Sequence, residues 1–152
     1  MNEDILTHNS ETLKHVNEVR KNIWTLIGHL DKRAQVHDAS KFEEPELSVF
    51  AANTPKLAKT EYGTPAYDEL LKEVKVAIDH HYSKNTHHPE HWPNGVDDMD
   101  LLDIVEMLCD WAAAVKRNKN GNVHKSIQHN QERFKMSPQL AKIMENTVNR
   151  YF

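Results

Sequence analysis

Residues 99–116 read MDLLDIVEMLCDWAAAVK. Leu101, Ile104, Val105, Leu108, Ala112 and Val115 recur at three- and four-residue steps, which lays them along one stripe of an α-helix. Asp103, Glu106 and Asp110 keep the same step beside that stripe, and no proline or glycine interrupts it. The pattern predicts one well-formed helix from Met99 to Lys116. Downstream, Asn118-Lys119-Asn120-Gly121-Asn122 is a turn, followed by a helix from Val123 to about Phe134. Ser137-Pro138 then sets an N-cap residue before a proline at the first helical position. Leu140, Ile143, Met144 and Val148 carry that last helix to the end.

Working the other way, Asn85 to Gly95 holds His, Pro and Trp, and Pro89 and Pro93 exclude a continuous helix there. Before it, Tyr67, Leu70, Leu71, Val74, Ala77, Ile78 and His81 give a helical period from Ala66 to about Lys84. Asn53 to Pro65 is turn-rich (Asn53-Thr54-Pro55, then Tyr62-Gly63-Thr64-Pro65) and reads as a surface excursion. A short helix from Phe42 to Phe50 is expected, with Pro45 in its first turn. The first long helix is expected to start near Asn9 or Ser10 and to run through Leu13, Val16, Val19, Ile23, Leu26, Ile27 and Leu30. It should break around Asp31 to Arg33, before a short segment carrying His37 and Asp38. No alternating strand pattern is found, so the fold class is all-α.

The chain has 152 residues, which suits a single domain over 1–152 with one sizeable core. With 4 Gly and 6 Pro the composition argues against disorder and against an all-β fold. A net charge of −4 supplies no general electrostatic attraction to nucleic acid or to a membrane surface. The lone Cys109 excludes an internal disulfide framework and any cysteine-rich zinc module, and it fits a reducing cytoplasm. No stretch has membrane-spanning length and apolarity, and the polar start lacks the layout of a signal peptide.

Histidine is the residue in excess, 11 of 152. His37-Asp38 is followed three residues later by Lys41. Forty residues on come His80-His81 and then His87-His88-Pro89-Glu90-His91. Upstream, His15 lies four before Val19 and eight before Ile23, on the side of its helix predicted to be buried. Imidazole and carboxylate together suit Mn, Fe, Co, Ni or Zn, and such a site lowers the pKa of a bound water and polarises a phosphoryl oxygen.

His15, His37-Asp38 with Lys41, the His80–His88 tract and Asp110 in Leu108-Cys109-Asp110-Trp111-Ala112-Ala113 together resemble the HD-domain metal-dependent phosphohydrolase superfamily. The chain is more closely similar to a family of short phage and bacterial proteins. The shared features are Lys14-His15, His37-Asp38-x-Ser40-Lys41, His-His-x-x-x-Asn-x-His-His-Pro-Glu-His-Trp and Asp110-Trp111. The Gly-Tyr-Pro signature of the cyclic-dinucleotide phosphodiesterase branch is absent, and that substrate is not carried over.

The resemblance implies a compact bundle of about six to seven helices. It implies one or two divalent transition-metal ions held by His15, His37, Asp38, His80, His88 and Asp110. His81 is an alternative to His80, since it lies on the apolar stripe of its helix, and His87 is an alternative to His88. Asp38 and Lys41 are the expected catalytic residues. Lys41 and Arg117 are the expected phosphate contacts, Arg117 lying two turns beyond Asp110 on the same helical face. Glu106, four residues before Asp110, reads as part of a solvated face, with a supporting place behind the ligands as the alternative. His8, His29, His124 and His129 read as surface or core residues, and Trp24, Trp92 and Trp111 as core or pocket wall.

The expected activity is hydrolysis of a small phosphorylated compound, a nucleotide, by a metal-activated water in the cytoplasm, without a membrane or nucleic-acid partner. Two alternatives stand beside it: a di-iron centre that uses oxygen, and a binding module whose metal is structural.

Overall fold

A computed structural model describes residues 2–57, 59–60, 64–117 and 121–152. Its regular structure is helical, and among the described residues there are six α-helices and no strand: α1 (Glu3–Val36), α2 (Glu46–Leu57), α3 (Pro65–Lys84), α4 (Leu101–Ala114), α5 (Val123–Arg133) and α6 (Pro138–Tyr151). Four short 3-10 turns join them, among them Ala39–Phe42 and Pro89–His91. None of the helices is long and apolar enough to cross a membrane. The chain divides into two units, Met1–Val36 and His37–Phe152.

The first unit is the single helix α1. It begins earlier than the periodicity predicts because Asn2 caps it, its side-chain oxygen accepting from the Asp4 N–H at 2.9 Å. Glu3 and Asp4 in the first turn and Arg33 in the last complement the helix dipole. The expected break at Asp31 to Arg33 does not occur. No proline stands there, and Gln35 donates to Asp31 across one turn at 2.8 Å. No residue of α1 is buried.

The second unit has two interiors. Met107 and Leu108 from α4 pack with Ile127 from α5, Met136, and Ala141, Met144 and Val148 from α6 into an apolar core. The sequence sets these helices by their caps. Asp100 accepts from the Leu102 and Asp103 N–H groups in a reciprocal capping box. Asn122 accepts from the Lys125 N–H, and Ser137 from the Leu140 N–H ahead of Pro138.

At the other side α2 packs on α3, and the Ala39–Phe42 turn packs on both. α3 starts where it is expected, with Thr64 as N-cap and Pro65 in first position. α2 differs from its expectation. Pro45 precedes it rather than opening it, and it continues through Asn53-Thr54-Pro55, with Pro55 inside its last turn. A proline so close to the C-terminal end gives up only one internal N–H bond, and the Asn53 amide donates to the Val49 carbonyl at 3.0 Å. Tyr62-Gly63 of the expected excursion and Asn118–Asn120 of the expected turn lie outside the described residues.

Candidate metal centre

The second interior is polar. Asp38, the residue after His37, takes the left-handed conformation (φ 57°, ψ 17°), which few residue types other than glycine, aspartate and asparagine adopt. Its carbonyl then closes the 3-10 turn by accepting from the Lys41 N–H at 2.9 Å. The Lys41 ammonium donates to Asp38 Oδ2 at 2.5 Å. Asp38 Oδ1 is buried and has no hydrogen-bond partner. His81 Nε2 comes within 3.2 Å of it, but out of line for a hydrogen bond.

His81 leaves the last turn of α3 and is buried. Its Nδ1 is 2.9 Å from Glu46 Oε2, and its Nε2 is 2.9 Å from His88 Nε2. His87 is buried too; its Nδ1 is 3.0 Å from Glu106 Oε1. Its Nε2 has no partner and lies 3.7 Å from Asp38 Oδ1. The segment between α3 and α4 is held in place by Asn85, which donates to the His81 carbonyl at 2.8 Å. Asp103 on α4 accepts from the Thr86 hydroxyl at 2.6 Å.

Asp38, His81, His87 and His88 thus present four donor atoms within 4.8 Å of one another, and His37, His87 and Glu106 form a second group of the same kind. Four ligands bound to one ion at about 2.1 Å stand roughly 3.4 Å apart. The measured separations of 3.2, 3.7 and 2.9 Å bracket that value. With Nδ1 of His81 and His87 turned to carboxylates, both rings point Nε2 toward Asp38 Oδ1. His81 Nε2 also meets His88 Nε2 at hydrogen-bond distance, and the lone pair of His87 Nε2, which has no hydrogen-bond partner, faces the acceptor Asp38 Oδ1. Electron pairs converging in a buried place repel unless a cation lies among them. The donor set fits a divalent ion of the kind that histidine and carboxylate bind.

The electrostatics agree. Burial works to raise the Asp38 carboxyl pKa, but the nearness of His81 and the hydrogen bond and charge of Lys41, helped by His37, outweigh it. The carboxyl is held well below the usual carboxylate range. Burial likewise opposes Glu46, and hydrogen bonds from His80, Ser40 and His81 bring its pKa below the ordinary value. Burial, with His87 and His81 close by, pushes His88 down to about 3. Its ring is therefore neutral and has an electron pair to give throughout the neutral range.

The group opens on a cleft of about 650 Å³, lined by His37, Asp38, Lys41, Phe42, Phe50, Thr54, Ile78, His81, Tyr82, His88 and Arg117. Of the residues expected from sequence, Asp38, His88 and His37 stand in the two donor groups. Lys41 and Arg117 line the cleft. Asp110 Oδ1 is 3.8 Å from His37 Nε2, beside the groups rather than in them. His80 turns its Nδ1 to Glu46 Oε1 at 2.8 Å, while its neighbour His81 stands in the first donor group. His15 is an exposed residue of α1, in the first unit.

Glu46 is the residue that sequence reading missed; Glu106, read first as solvated, stands in its alternative place against His37 and His87. The signal for Glu106 was its place four residues before Asp110. Nothing local marked Glu46, whose histidine partners lie 34 and 35 residues away.

A family model described as a family of unknown function (DUF5662) matches residues 4–150. The chain belongs to that family. The DUF5662 match runs across both units, so every candidate residue from His15 to Arg117 lies within it. No curated protein and no solved structure matches the chain.

Proposed function

We propose that this centre is a metal-dependent phosphohydrolase site acting on a small phosphorylated compound, a nucleotide. The observation that carries the reading is the buried convergence of Asp38 Oδ1 and His87 Nε2, both without a partner, beside His81 and His88, in a group that opens on a cleft also lined by Lys41 and Arg117.

Asp38, His81, His87 and His88 would hold one ion, with His37 and Glu106 available for a second. Mn, Fe, Co, Ni and Zn all accept such a donor set. When bound, a divalent ion supplies an activated water and polarises a phosphoryl oxygen. The chain supplies the rest. Lys41 fixes Asp38 by Oδ2, which leaves Oδ1 aimed at the other donors. The Lys41 and Arg117 charges favour an anion in the cleft and neutralise the charge that builds on its oxygens. Phe42, Phe50, Ile78 and Tyr82 give that anion's organic portion an apolar wall.

The test begins with elemental analysis of protein purified without chelators. Hydrolysis is then assayed over a panel of phosphomonoesters, phosphodiesters and nucleotides. Metal-loaded protein is expected to turn over at least one nucleotide, and chelation to abolish that turnover. Asp38→Asn, which keeps a side chain tolerant of the left-handed backbone, is expected to lower the rate by at least about a hundredfold. Loaded protein inert to the whole panel would defeat the proposal, and oxygen uptake by the iron-loaded form would replace hydrolysis with oxygenation.

A further inference from the structure

Two carboxylates stand behind the imidazoles, and each serves a pair. Glu46, with no exposed surface, places Oε1 2.8 Å from His80 Nδ1 and Oε2 2.9 Å from His81 Nδ1. Glu106 places one oxygen, Oε1, 2.8 Å from His37 Nδ1 and 3.0 Å from His87 Nδ1. An ionised carboxylate only accepts hydrogen bonds, so Nδ1 of His37, His80 and His81 must carry the hydrogen, and the 3.0 Å approach of Glu106 Oε1 favours the same tautomer at His87. A neutral imidazole protonated there has its electron pair on Nε2. Asn85 does not upset this arrangement. Its amide nitrogen is 3.0 Å from His81 Nδ1, but its two hydrogens go to Ser40 Oγ and to the His81 carbonyl, each at 2.8 Å.

We infer that Glu46 and Glu106 are positioning residues that fix the tautomers of His80, His81, His37 and His87, so that the Nε2 electron pairs of His81 and His87 meet at Asp38. This deepens the metal reading and rests on it for its consequence in affinity; the tautomers themselves stand without it. The two carboxylates do the same task by different means, and glutamine separates them. Glu46 needs both oxygens, whereas glutamine has one oxygen and one NH2 group. At position 46 the NH2 must face either His80 or His81, and that ring has to move its hydrogen to Nε2. At position 106 both imidazoles approach the same oxygen, Oε1, and a glutamine carbonyl oxygen in that place can face both.

Nitrogen NMR of the imidazoles in the chelated full chain tests the inference. In the wild type His37, His80, His81 and His87 are expected to carry hydrogen on Nδ1. E46Q is expected to switch one of His80 and His81 to Nε2–H, and E106Q to switch neither. Zinc affinity, measured by competition, is expected to fall by roughly 10- to 100-fold in both variants, because each takes the negative charge from behind its ligands. A wild-type His81 or His87 with hydrogen on Nε2 overturns the inference, and so do two variants that bind zinc as tightly as the wild type. Should E46Q not fold, the wild-type spectrum and E106Q decide. A wild type that binds no zinc, yet shows Nδ1–H on all four rings, would defeat the metal reading and support the tautomer assignment.

Discussion

The two interiors of the second unit share a helix and differ in everything else. Met107, Leu108 and Ala112 of α4 are buried among apolar side chains. From the same helix Asp103 is buried, and Glu106 and Asp110 turn toward the histidines. The apolar side stabilises the fold as any close-packed core does, by removing hydrocarbon from water. The polar side costs free energy to bury and needs every group paired. Asp103 meets that requirement: one oxygen accepts from Thr86, the other from the Asp100 N–H at 3.0 Å. Asp38 Oδ1 does not. Two aspartates so unequally satisfied in one region point to different tasks. Asp103 ties the histidine segment to α4, and the buried Oδ1 of Asp38 is, on the proposed reading, the oxygen that an ion would take.

The largest effect expected from breaking the comparison is on the apolar side. Met107 is 1% exposed, and Met107→Ala should cost about 2–5 kcal/mol in denaturant unfolding. The metal stoichiometry of the protein that remains folded should not change. A variant that loses metal in proportion to stability would show that the two interiors are one cooperative site rather than two.

The next effect belongs to the polar side. If the converging donors repel one another when no ion is bound, binding must favour the folded chain. Zinc or manganese at a hundred times its dissociation constant should add about 2.7 kcal/mol to the unfolding free energy. The rise in Tm should follow metal concentration, and Asp38→Asn should remove most of it. A melting curve indifferent to metal would erase the distinction between Asp38 and Asp103.

How far each interior can be read from sequence follows from the range of its interactions. The apolar helices are set by signals within a few residues: the period of Leu101 to Val115 and Ser137 before Pro138. Those helices were legible. The end of the first helix was not, because Gln35 and Asp31 continue it across a stretch with no hydrophobic signal. The site was legible in its kinds of residue, a His-Asp pair with a histidine tract, but not in its geometry. His80 and His81 are adjacent, and it is His81, on the buried stripe of α3 with Val74 and Ala77, that faces the other donors. The stripe offered it as the alternative, but which donors it would meet depends on residues far away in the chain. Glu106 meets His37 across 69 residues, a pairing that no local period encodes.

The smallest effect sharpens the comparison from its quiet end. Ser137 caps α6 by accepting from the Leu140 N–H at 3.1 Å, and α6 supplies Ala141, Met144 and Val148 to the apolar core. Ser137→Ala leaves that N–H without its partner and should cost about 1 kcal/mol, read as a shift in the denaturant midpoint with an unchanged slope. Pro138 still holds the first helical residue in place, which keeps the loss within that range. The cap touches neither Asp38 nor any histidine of the tract, so zinc affinity should stay at the wild-type value. An equal fractional loss of affinity would mean that α6 transmits strain through α4 to Glu106, and the division between a stabilising and a metal-binding interior would have to be redrawn along that helix.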